Sequence, residues 1–327
     1  MKIAVSIGDV NGIGLECFAK ALAKLSYDRN KLSFILFGSH RLILNYLDEL
    51  EINFEETENG INLFGYEIKI KNRDIDGSIE FGQITAEAGK IAADSIADAV
   101  ESIKAGDTDL LLTLPINKKA ISLSGFNFPG HTEMLGESFG ADPLMILFSG
   151  DVRVALATVH EPIHVVASLL TPDLIECKYA ALENSLRLDF GIDNPRIAIL
   201  GLNPHAGEQG NIGFEEVSYI NDTIDKLNIR HENSKAEGPF PADGFFGFGQ
   251  YKDYDGILAM YHDQGLIPLK LLAQGGGVNF TANLSMVRVS PDHGTAYQIA
   301  GTNTADETST LEAIQSGIAM VENRSKP

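Results

Sequence analysis

Short apolar segments alternate with segments of helical periodicity along almost the whole chain of 327 residues, and no other feature of the sequence constrains its fold as strongly. The predicted strands span residues 3–7, 32–37, 109–114, 144–148, 154–159, 196–202, 256–261 and 283–289. The predicted helices span residues 14–25, 41–50, 84–105, 172–188, 214–227 and 308–323. Short apolar strands joined by helices form mostly parallel sheets that helices cover on both faces, so the sequence predicts an α/β fold.

The length of the chain favours two domains, because a typical domain has about 150 residues. Turn-forming residues mark two candidate breaks, at residues 124–130 (SGFNFPG) and 273–277 (AQGGG). Residues 53–76 mix polar residues with short β-like pieces and are predicted to form a small hairpin-like excursion. In the helix predicted over 84–105, small or apolar residues recur at spacings of three and four, which indicates one buried face. They are Ala88, Ile91, Ala92, Ser95, Ile96 and Ala99.

The balance of charge disfavours several classes of partner. Lys and Arg number 25 and Asp and Glu number 45, for a net charge of −20, and such a surface repels nucleic acid phosphates and anionic lipids. An acidic residue at position 9 excludes a signal peptide, and no apolar run approaches the roughly 20 residues that span a bilayer. Cys17 and Cys177 form no CxxC pair, which argues for a reducing compartment. The sequence therefore predicts a soluble, cytoplasmic protein.

Residues 8–14 (GDVNGIG) form a glycine-rich turn between the first strand and the first helix. The glycine spacing is not GxGxxG, the second strand ends in LFGS with no acidic residue for a ribose hydroxyl, and no GK[ST] follows. Both the dinucleotide-binding fingerprint and the P-loop are therefore missing. The turn is either a tight structural connection or, through Asp9 and Glu16, a polar part of a ligand site.

Three histidines are placed alike. His160, His205 and His262 each lie just beyond the carboxyl end of a predicted strand, the edge at which open α/β sheets bind ligands. The separations of 45 and 57 residues each leave room for a crossover unit, so the three side chains can converge. Three imidazoles with an open coordination position suit a catalytic divalent ion such as Zn²⁺. The alternative is that each one caps an element or hydrogen-bonds in the core, and His164 either joins this cluster or lies at the surface.

A second group of residues is suited to binding an anion. Lys270 is followed by a glycine run at 275–277, then by Asn279, Thr281 and Arg288. In so acidic a chain, cations beside a glycine-rich bend predict a clamp for a phosphate or carboxylate. The alternative is an ordinary surface lysine and an arginine in a structural ion pair.

Two further segments have binding potential. Residues 130–133 (GHTE) open a predicted helix with Thr132 as candidate cap, and a helix N-terminus favours anions. Residues 292–303 (DHGTAYQIAGTN) read as a turn, a short helix and a glycine turn that can hold an adenosine through backbone groups. Nucleophilic catalysis is poorly supported, since the sequence has no GxSxG and neither cysteine lies in a polar, glycine-rich turn.

Nine segments, taken in order, resemble a known family. They are SIGDVNGIGLE, TLPINK, GHTE, the segment around His160, GLNPHAGE, GPFPAD, YHDQGLIPLK, GVNFT and SPDHGTAYQIAG. The sequence resembles the 4-hydroxythreonine-4-phosphate dehydrogenases of pyridoxal phosphate synthesis from Ser6 to the last helix, and YHDQGLIPLK and GLNPHAGE are specific to that family.

The resemblance implies a fold like that of isocitrate and isopropylmalate dehydrogenases, with two α/β/α domains and a cleft between them. It also implies a homodimer whose active site is shared by both subunits. The expected first domain comprises residues 1–130 and 290–327 and carries the NAD-side loops. The expected second domain, residues 131–289, carries the metal and substrate residues and the dimer interface.

The activity that the resemblance implies is NAD-dependent oxidation of the secondary alcohol of 4-hydroxythreonine 4-phosphate, followed by decarboxylation to 3-amino-2-oxopropyl phosphate. The reaction uses a divalent metal ion, which can be Zn²⁺, Mg²⁺ or Co²⁺. A sister group acts on phosphorylated threonate, and the motifs barely separate the two. Two alternatives from other classes are a phosphotransferase or acyl-phosphate transferase, which needs neither NAD nor the histidines, and a metal-dependent hydrolase.

The resemblance assigns roles residue by residue. The metal ligands fall on His160, His205 and His262. The substrate contacts fall on His131, Thr132, Lys270, Asn279 and Arg288. The cofactor contacts fall on Asp292, His293, Gly294, Ala296, Gly301 and Asn303. The acids that match catalytic positions are Asp243 and Asp263, and these two and Lys270 are the candidates for the group that takes the hydroxyl proton.

This chain departs from the family pattern at a few positions. Val10 and Leu15 stand where the family usually has prolines, and EPIHVV follows His160 where the family often reads close to LPLRDV. His164 therefore takes the place of a common basic residue. The departures leave the metal and anion residues intact and bear on substrate choice.

Overall fold

The computed structural model describes residues 1–72, 77–126 and 130–326. The chain divides into two compact units. The first comprises Met1–Gly140, Gly275–Val278 and Ser285–Val321, and the second comprises Ala141–Gln274, Asn279–Leu284 and Glu322–Pro327. These bounds differ from the expected ones, because residues 131–140, 275–278 and 285–289 fall in the first unit and residues 322–327 fall in the second. The strand that contains Arg288 pairs there with the strand Leu110–Thr113, and residues 127–129 of the predicted break lie outside the described residues.

Strands and helices are numbered in chain order. In the first unit the strands are β1 (Lys2–Ser6), β2 (Ser33–Gly38), β3 (Glu55–Thr57), β4 (Gly60–Leu63), β5 (Tyr66–Asn72), β6 (Leu110–Thr113) and β13 (Val287–Pro291). The helices are α1 (Gly14–Lys24), α2 (His40–Glu49), α3 (Ala86–Lys104), α4 (Lys118–Leu123), α5 (His131–Phe139) and α11 (Thr308–Arg324), whose last residues belong to the second unit.

The strands of the first unit have the order β13-β6-β1-β2-β5-β4-β3. The five strands from β13 to β5 pair in parallel, and β4 and β3 continue antiparallel. Strands β3, β4 and β5 confirm the predicted excursion over its described part, while residues 73–76 lie outside it. Helix α3 begins at the cap Thr85, whose hydroxyl accepts from Ala88 N at 3.2 Å. All six residues of its predicted stripe are buried.

In the second unit the strands are β7 (Leu144–Ser149), β8 (Val152–Leu156), β9 (Arg196–Leu200), β10 (Lys235–Phe240), β11 (Gly256–Ala259) and β12 (Val278–Ala282). The helices are α6 (Ile163–Leu169), α7 (Pro172–Leu188), α8 (Asn221–Arg230), α9 (Ala242–Gly247) and α10 (His262–Ala273). The strand order is β10-β9-β11-β8-β7-β12. The first four strands are parallel and β7 is antiparallel to β8.

The α/β prediction is confirmed in both units, and the main differences are local. Of the strand predicted over 283–289, only residues 287–289 are extended, in β13. Residues 283–286 form a bend, which begins at Asn283 with a left-handed φ of 62° directly after β12 ends. Helix α10 was not predicted, since Gly265 and Pro268 weaken its pattern. Gly265 packs tightly in the structure, because a Cβ there would lie 2.6 Å from Val154 Cγ1. The helix predicted over 214–227 is confirmed, and it begins as a short π-helix, Glu216–Ile220, that continues into α8.

No helix among the described residues is both long enough and apolar enough to cross a membrane.

The glycine-rich turn at residues 8–14 is filled by another segment of the same unit. Ile13 N donates to Thr295 O at 3.1 Å, and Tyr297 donates its hydroxyl to Asp9 Oδ2 at 2.6 Å. A Cβ on Gly12 would lie 2.8 Å from Thr295 O and 2.9 Å from Thr295 Cβ. The glycine at position 12 therefore permits the close approach of residues 292–303, and the structure supports the structural interpretation of this turn.

Replacing Gly12 by alanine should destabilise the first unit. The new Cβ would overlap Thr295, and overpacking of this kind costs about 1–3 kcal/mol. The measurement is the free energy of unfolding in urea. Gly247→Ala is the matched control, because nothing lies within 4 Å of its Cβ position, and it should change stability by less than about 1 kcal/mol. Equal stability of the two variants would contradict the close packing.

Candidate active site

The strands that precede the three candidate metal-binding histidines are direct neighbours. Strand β11 lies between β8 and β9 and is parallel to both, with Leu258 in register with Ala155 on one side and Ile199 on the other. Because the three strands run in the same direction, their carboxyl ends reach the same edge of the sheet. The structure thus places the three histidine-bearing turns at one edge of the second unit.

Two of the three imidazoles are adjacent. The ring centroids of His160 and His262 are 5.8 Å apart. His262 begins α10, and its Nδ1 donates to Asp263 Oδ1 at 2.7 Å. A carboxylate on Nδ1 orients the ring and leaves Nε2 for a ligand, as it does in many zinc sites. The chemistry of this pair therefore fits a divalent cation.

The same two histidines line a cavity of about 510 Å³. Glu161 adds a carboxylate to its wall, while Ile163 and Val166 make another part of the wall apolar. A few polar groups in an otherwise apolar recess are typical of sites that bind small molecules. This cavity is the candidate active site of the second unit.

His205 is near this edge but does not complete a ligand set. It is exposed and lies in Pro204–Gly210, a segment with left-handed backbone angles. Within residues 1–72, 77–126 and 130–326, no three or more His, Cys, Asp or Glu side chains are grouped so that they could hold one metal ion. The structure therefore brings His160 and His262 together, and the three-histidine set remains a prediction.

The other candidate residues of the second unit differ in exposure. Asp243 in α9, and Asp263 and Lys270 in α10, are exposed. Asn279 in β12 is half-buried, and its Oδ1 is a buried acceptor with no hydrogen-bond partner among the described residues. A buried acceptor of this kind is costly unless a ligand or water donates to it, so Asn279 fits a ligand contact. His164 is exposed in α6.

The first unit holds a buried cation. Arg288 in β13 is 2% exposed, and its Nε and Nη2 donate to Thr113 Oγ1 at 3.1 and 2.6 Å. Burial lowers the pKa of Arg288 to about 9. A guanidinium at this depth is costly, and a bound anion would offset part of that cost.

His131 lies in the field of Arg288 and a second cation, Lys118. Burial and these two positive charges hold the pKa of His131 well below its usual range, so its ring is neutral at neutral pH. Helix α5 begins at His131, so its N-cap is Gly130 and not the predicted Thr132. A side chain at position 130 would be crowded, because the chain has a φ of 156° there and a Cβ would lie 2.3 Å from Glu133 Oε2. The structure therefore joins His131 and Arg288 in one cluster, which we call the cationic cluster: Lys118, His131 and Arg288.

The predicted cofactor segment is well anchored in the first unit. Asp292 N donates to Ser309 Oγ at 2.8 Å, and the ring of His293 lies 3.0 Å from Gly294 O and 3.2 Å from Thr310 Oγ1. Burial lowers the pKa of His293. Nothing lies within 4 Å of a Cβ position on Gly294, so this turn faces open space that a ligand can occupy.

The far end of the segment is held by the first helix. Glu16 Oε1 accepts from Ala305 N at 2.7 Å, and Lys20 donates to Asn303 O at 3.0 Å. Ala296 and Asn303 have φ of 44° and 55°, and Gly301 has φ of 81° against the ring of Phe81. These contacts hold residues 292–303 in a fixed shape.

Sequence reasoning missed two residues of these clusters. Lys118 ends the TLPINK segment, where only the motif was noted. Gln264 bridges two strand ends, because its Nε2 donates to Gly201 O at 2.6 Å and its Oε1 accepts from Met260 N at 2.7 Å. The only signal in the sequence was that the two residues stand in the TLPINK and YHDQGLIPLK motifs. The contact between Gln264 and Gly201 joins segments 63 residues apart, so no local pattern indicates it.

Comparison with solved structures defines the class of fold. The isocitrate dehydrogenase of Methylococcus capsulatus superposes with a TM-score of 0.54 at 12% identity, over 100% of this chain and 86% of that chain. A crystal structure of 4-hydroxythreonine-4-phosphate dehydrogenase from Klebsiella pneumoniae gives a TM-score of 0.82 at 32% identity, over 99% and 98% of the two chains. The protein has an α/β fold of the isocitrate dehydrogenase type.

Sequence comparison is more specific. A curated 4-hydroxythreonine-4-phosphate dehydrogenase of Bacteroides thetaiotaomicron is 40% identical over 337 aligned positions, which cover 100% of this chain and 90% of that protein. The family model of the pyridoxal phosphate biosynthetic protein PdxA matches residues 30–317. The chain belongs to the PdxA family, as the motifs predicted.

Mild acid should destabilise the protein partly through His131. Below about pH 6.5 the unfolded chain binds a proton at this residue, and the folded chain does not, because its pKa is lowered. Between pH 7.5 and 5.5 the native protein should therefore lose about 1 kcal/mol more of its unfolding free energy than the variant His131→Gln does. Urea unfolding at the two pH values measures it.

The exposed His164 supplies the control for this experiment, since His164→Gln should leave the pH dependence as it is in the native protein. The burial of His131 beside two cations would be contradicted if both variants lost the same amount of stability on acidification.

Proposed function

We propose that this protein is an NAD- and metal-dependent dehydrogenase that oxidises and decarboxylates 4-hydroxythreonine 4-phosphate to 3-amino-2-oxopropyl phosphate in pyridoxal phosphate biosynthesis. The observation that carries the proposal is the adjacency of His160 and His262 at the carboxyl ends of two paired strands. The names of the full-length relatives in its family supply the substrate.

A divalent cation would be held by His160 and His262, together with His205 from the next strand along the sheet. When bound, such an ion polarises hydroxyl and carboxylate oxygens and stabilises negative charge on them. Zn²⁺, Co²⁺ and Mg²⁺ are the candidates, and imidazole ligands favour the first two. The Asp263 carboxylate keeps the His262 ring in the orientation that leaves Nε2 available.

The phosphate and carboxylate of the substrate call for cations in an otherwise acidic chain. Arg288 and His131 of the cationic cluster, with Thr132 beside them, are our proposed contacts in the first unit, and Lys270 and Asn279 in the second. The buried Arg288 supports this assignment, because an anionic ligand would compensate its lost hydration. Neutral His131 can accept or donate a hydrogen bond without adding charge.

The chemistry needs two proton movements. Oxidation removes a hydride from the carbon that bears the hydroxyl and a proton from that hydroxyl, and loss of CO₂ from the resulting β-keto acid leaves a carbon that takes up a proton. Asp243, Asp263 and Lys270 are the proposed acid–base groups. All three are exposed in the single chain, so they can reach a bound substrate.

NAD⁺ supplies the hydride acceptor when bound, and residues 292–303 are the proposed contact for it. The anchored backbone of Asp292, His293, Gly294, Ala296, Gly301 and Asn303 supports this assignment, as does the open space at Gly294. The glycine-rich turn at 8–14 then supports this segment and does not bind the pyrophosphate, because Thr295 already occupies it.

We also propose a homodimer with a shared active site. Helix α10 begins at His262 and exposes Ile267 and Leu271, which lie one turn apart on the same face and are 58% and 74% exposed. Exposed apolar side chains grouped in this way are typical of subunit interfaces. Cys17 and Cys177 are both free, which supports a cytoplasmic location.

The experiment that tests the activity follows NADH formation and CO₂ release together. Protein freed of metal with a chelator and reloaded with Zn²⁺, Co²⁺ or Mg²⁺ is mixed with NAD⁺ and 4-hydroxythreonine 4-phosphate. We expect equal amounts of NADH and CO₂, none without metal, and a loss of turnover of about 100-fold or more in His262→Ala. Asp222→Asn, which changes an exposed residue of the same unit in α8, should keep its activity.

Other substrates separate the rival functions. Greater turnover of 4-phosphothreonate would identify the sister activity, and phosphoryl or acyl transfer without NADH would indicate a transferase. Metal-dependent hydrolysis without NADH would indicate a hydrolase. The dephosphorylated substrate should react with a much higher KM, since it lacks the group that the cationic cluster binds.

Leu271→Glu should separate the subunits. A carboxylate in the core of an interface costs about 2 kcal/mol or more, so the dissociation constant of the dimer should rise about 30-fold or more. Light scattering over a dilution series measures it. Leu123→Glu, which places the same charge at a 56%-exposed leucine of the first unit, should remain dimeric. A native protein that is active as a monomer would exclude the shared site.

A further inference from the structure

The backbone that carries His205 has angles that ordinary residues avoid. Five consecutive residues, from His205 to Gln209, have φ between 43° and 76°, and only Gly207 among them is glycine. In a left-handed turn each Cβ comes too close to the following carbonyl oxygen. Such a run persists only where the surrounding structure holds it, and strained backbone of this kind is concentrated at functional sites.

A buried carboxylate holds this turn. Glu216 is 1% exposed, and its Oε1 accepts from Asn203 N at 2.8 Å while its Oε2 accepts from Asn203 Nδ2 at 2.9 Å. Asn203 precedes the left-handed segment directly, so both bonds fix its entrance. Glu216 is the first residue of the short π-helix Glu216–Ile220, and short π-helical turns are often found at functional sites.

Two glycines leave the space that this carboxylate fills. A Cβ on Gly207 would lie 2.6 Å from Glu216 Oε2, and a Cβ on Gly201 would lie 3.2 Å from Glu216 Oε1. The Glu216 carboxylate thus lies against Gly201, just beyond the end of β9, and against Gly207, in the middle of the left-handed segment Pro204–Gly210. Asn203 Nδ2 also donates to Glu215 Oε2 at 2.7 Å, so Glu216, as the buried one of two carboxylates on Asn203, helps to hold the turn that carries His205.

The same turn is tied to the strand end that leads to His262. Gln264 donates to Gly201 O at 2.6 Å and accepts from Met260 N at 2.7 Å. The end of β9 is thus fixed on one side by Glu216 and on the other by α10. On the side away from β11, the strand end is also paired with β10, where Gly201 N donates to Phe240 O at 2.8 Å.

We propose that Glu216 is a positioning residue that sets the place of His205 relative to His160 and His262 through Asn203. The proposal rests on the proposed function, in which these three histidines hold one divalent cation. Glu216 does not touch the cation or the substrate. Its effect is therefore on the affinity for the metal, through the geometry of one ligand.

The test measures metal affinity directly, without turnover. The full-length protein is freed of metal and titrated with Zn²⁺ in competition with a chromophoric chelator, and the visible spectrum of bound Co²⁺ reports the ligand geometry. In Glu216→Gln the new amide group meets the amide of Asn203, and one of the two bonds is lost. Loss of a group hydrogen-bonded to a metal ligand weakens affinity about 10- to 100-fold; Glu216 acts one contact further out, through Asn203, so we expect a loss of about 10-fold with a changed Co²⁺ spectrum.

The control is Asp222→Asn, which removes an exposed carboxylate from α8 and should bind Zn²⁺ as the native protein does. In the double variant His205→Ala/Glu216→Gln the affinity should equal that of His205→Ala alone, because Glu216 acts through His205. Additive losses would show a general structural role and overturn the proposal.

Two further outcomes are distinguishable. If His205→Ala weakens binding and Glu216→Gln does not, the positioning role is wrong and the metal site stands. If His205→Ala binds Zn²⁺ as tightly as the native protein, the proposed metal site is itself wrong, and the positioning role with it. Should Glu216→Gln fail to fold by circular dichroism, Asn203→Ala replaces it, and native affinity in that variant would overturn the proposal.

Discussion

The parallel pairing of β8, β11 and β9 is the interaction on which the candidate site depends. Hydrogen bonds between the first two strands continue past their ends, from Ala157 N to Ala259 O at 2.8 Å and from Thr158 N to Met260 O at 3.2 Å. The register is therefore carried to within two residues of His160 and His262. Side chains separated by about a hundred residues of sequence are positioned in this way by backbone hydrogen bonds and do not depend on a flexible loop. The adjacency of the two imidazoles follows directly from that ladder.

Electrostatics shape the first unit in a different way. The chain carries 20 more acidic than basic residues, yet Arg288 is buried in it and Lys118 lies close enough to lower the pKa of His131. Burying a guanidinium costs free energy, because the charged group loses its hydration. A cluster of this kind is understandable in a site for an anion, where the cost of desolvation is offset when the ligand binds. A local excess of positive charge also discriminates among small molecules, because an uncharged analogue gains nothing from it.

The site shows how far sequence reasoning reached. Strand-end position alone drew attention to His160, His205 and His262, and the structure brings the first and third together while the second stays apart on a left-handed turn. The proposed anion residues are divided between the units, with His131 and Arg288 in the first and Lys270 in the second, and their grouping remains a prediction. The glycine-rich turn was left open between two interpretations. The contact that explains its glycine at position 12 comes from Thr295, nearly three hundred residues away.

Local patterning was enough to specify most strands and helices and the α/β class, because the periodicity of apolar residues is set by neighbours within one or two turns. It also specified which chemical groups stand at strand ends. Long-range packing settled the rest: that β11 lies between β8 and β9, that the strand predicted over 283–289 begins only at Val287, and that Gln264 and Glu216 contact the turn of His205. Such pairings join segments that are distant in the chain, and the partner of a hydrogen bond leaves no periodic mark on the sequence around it.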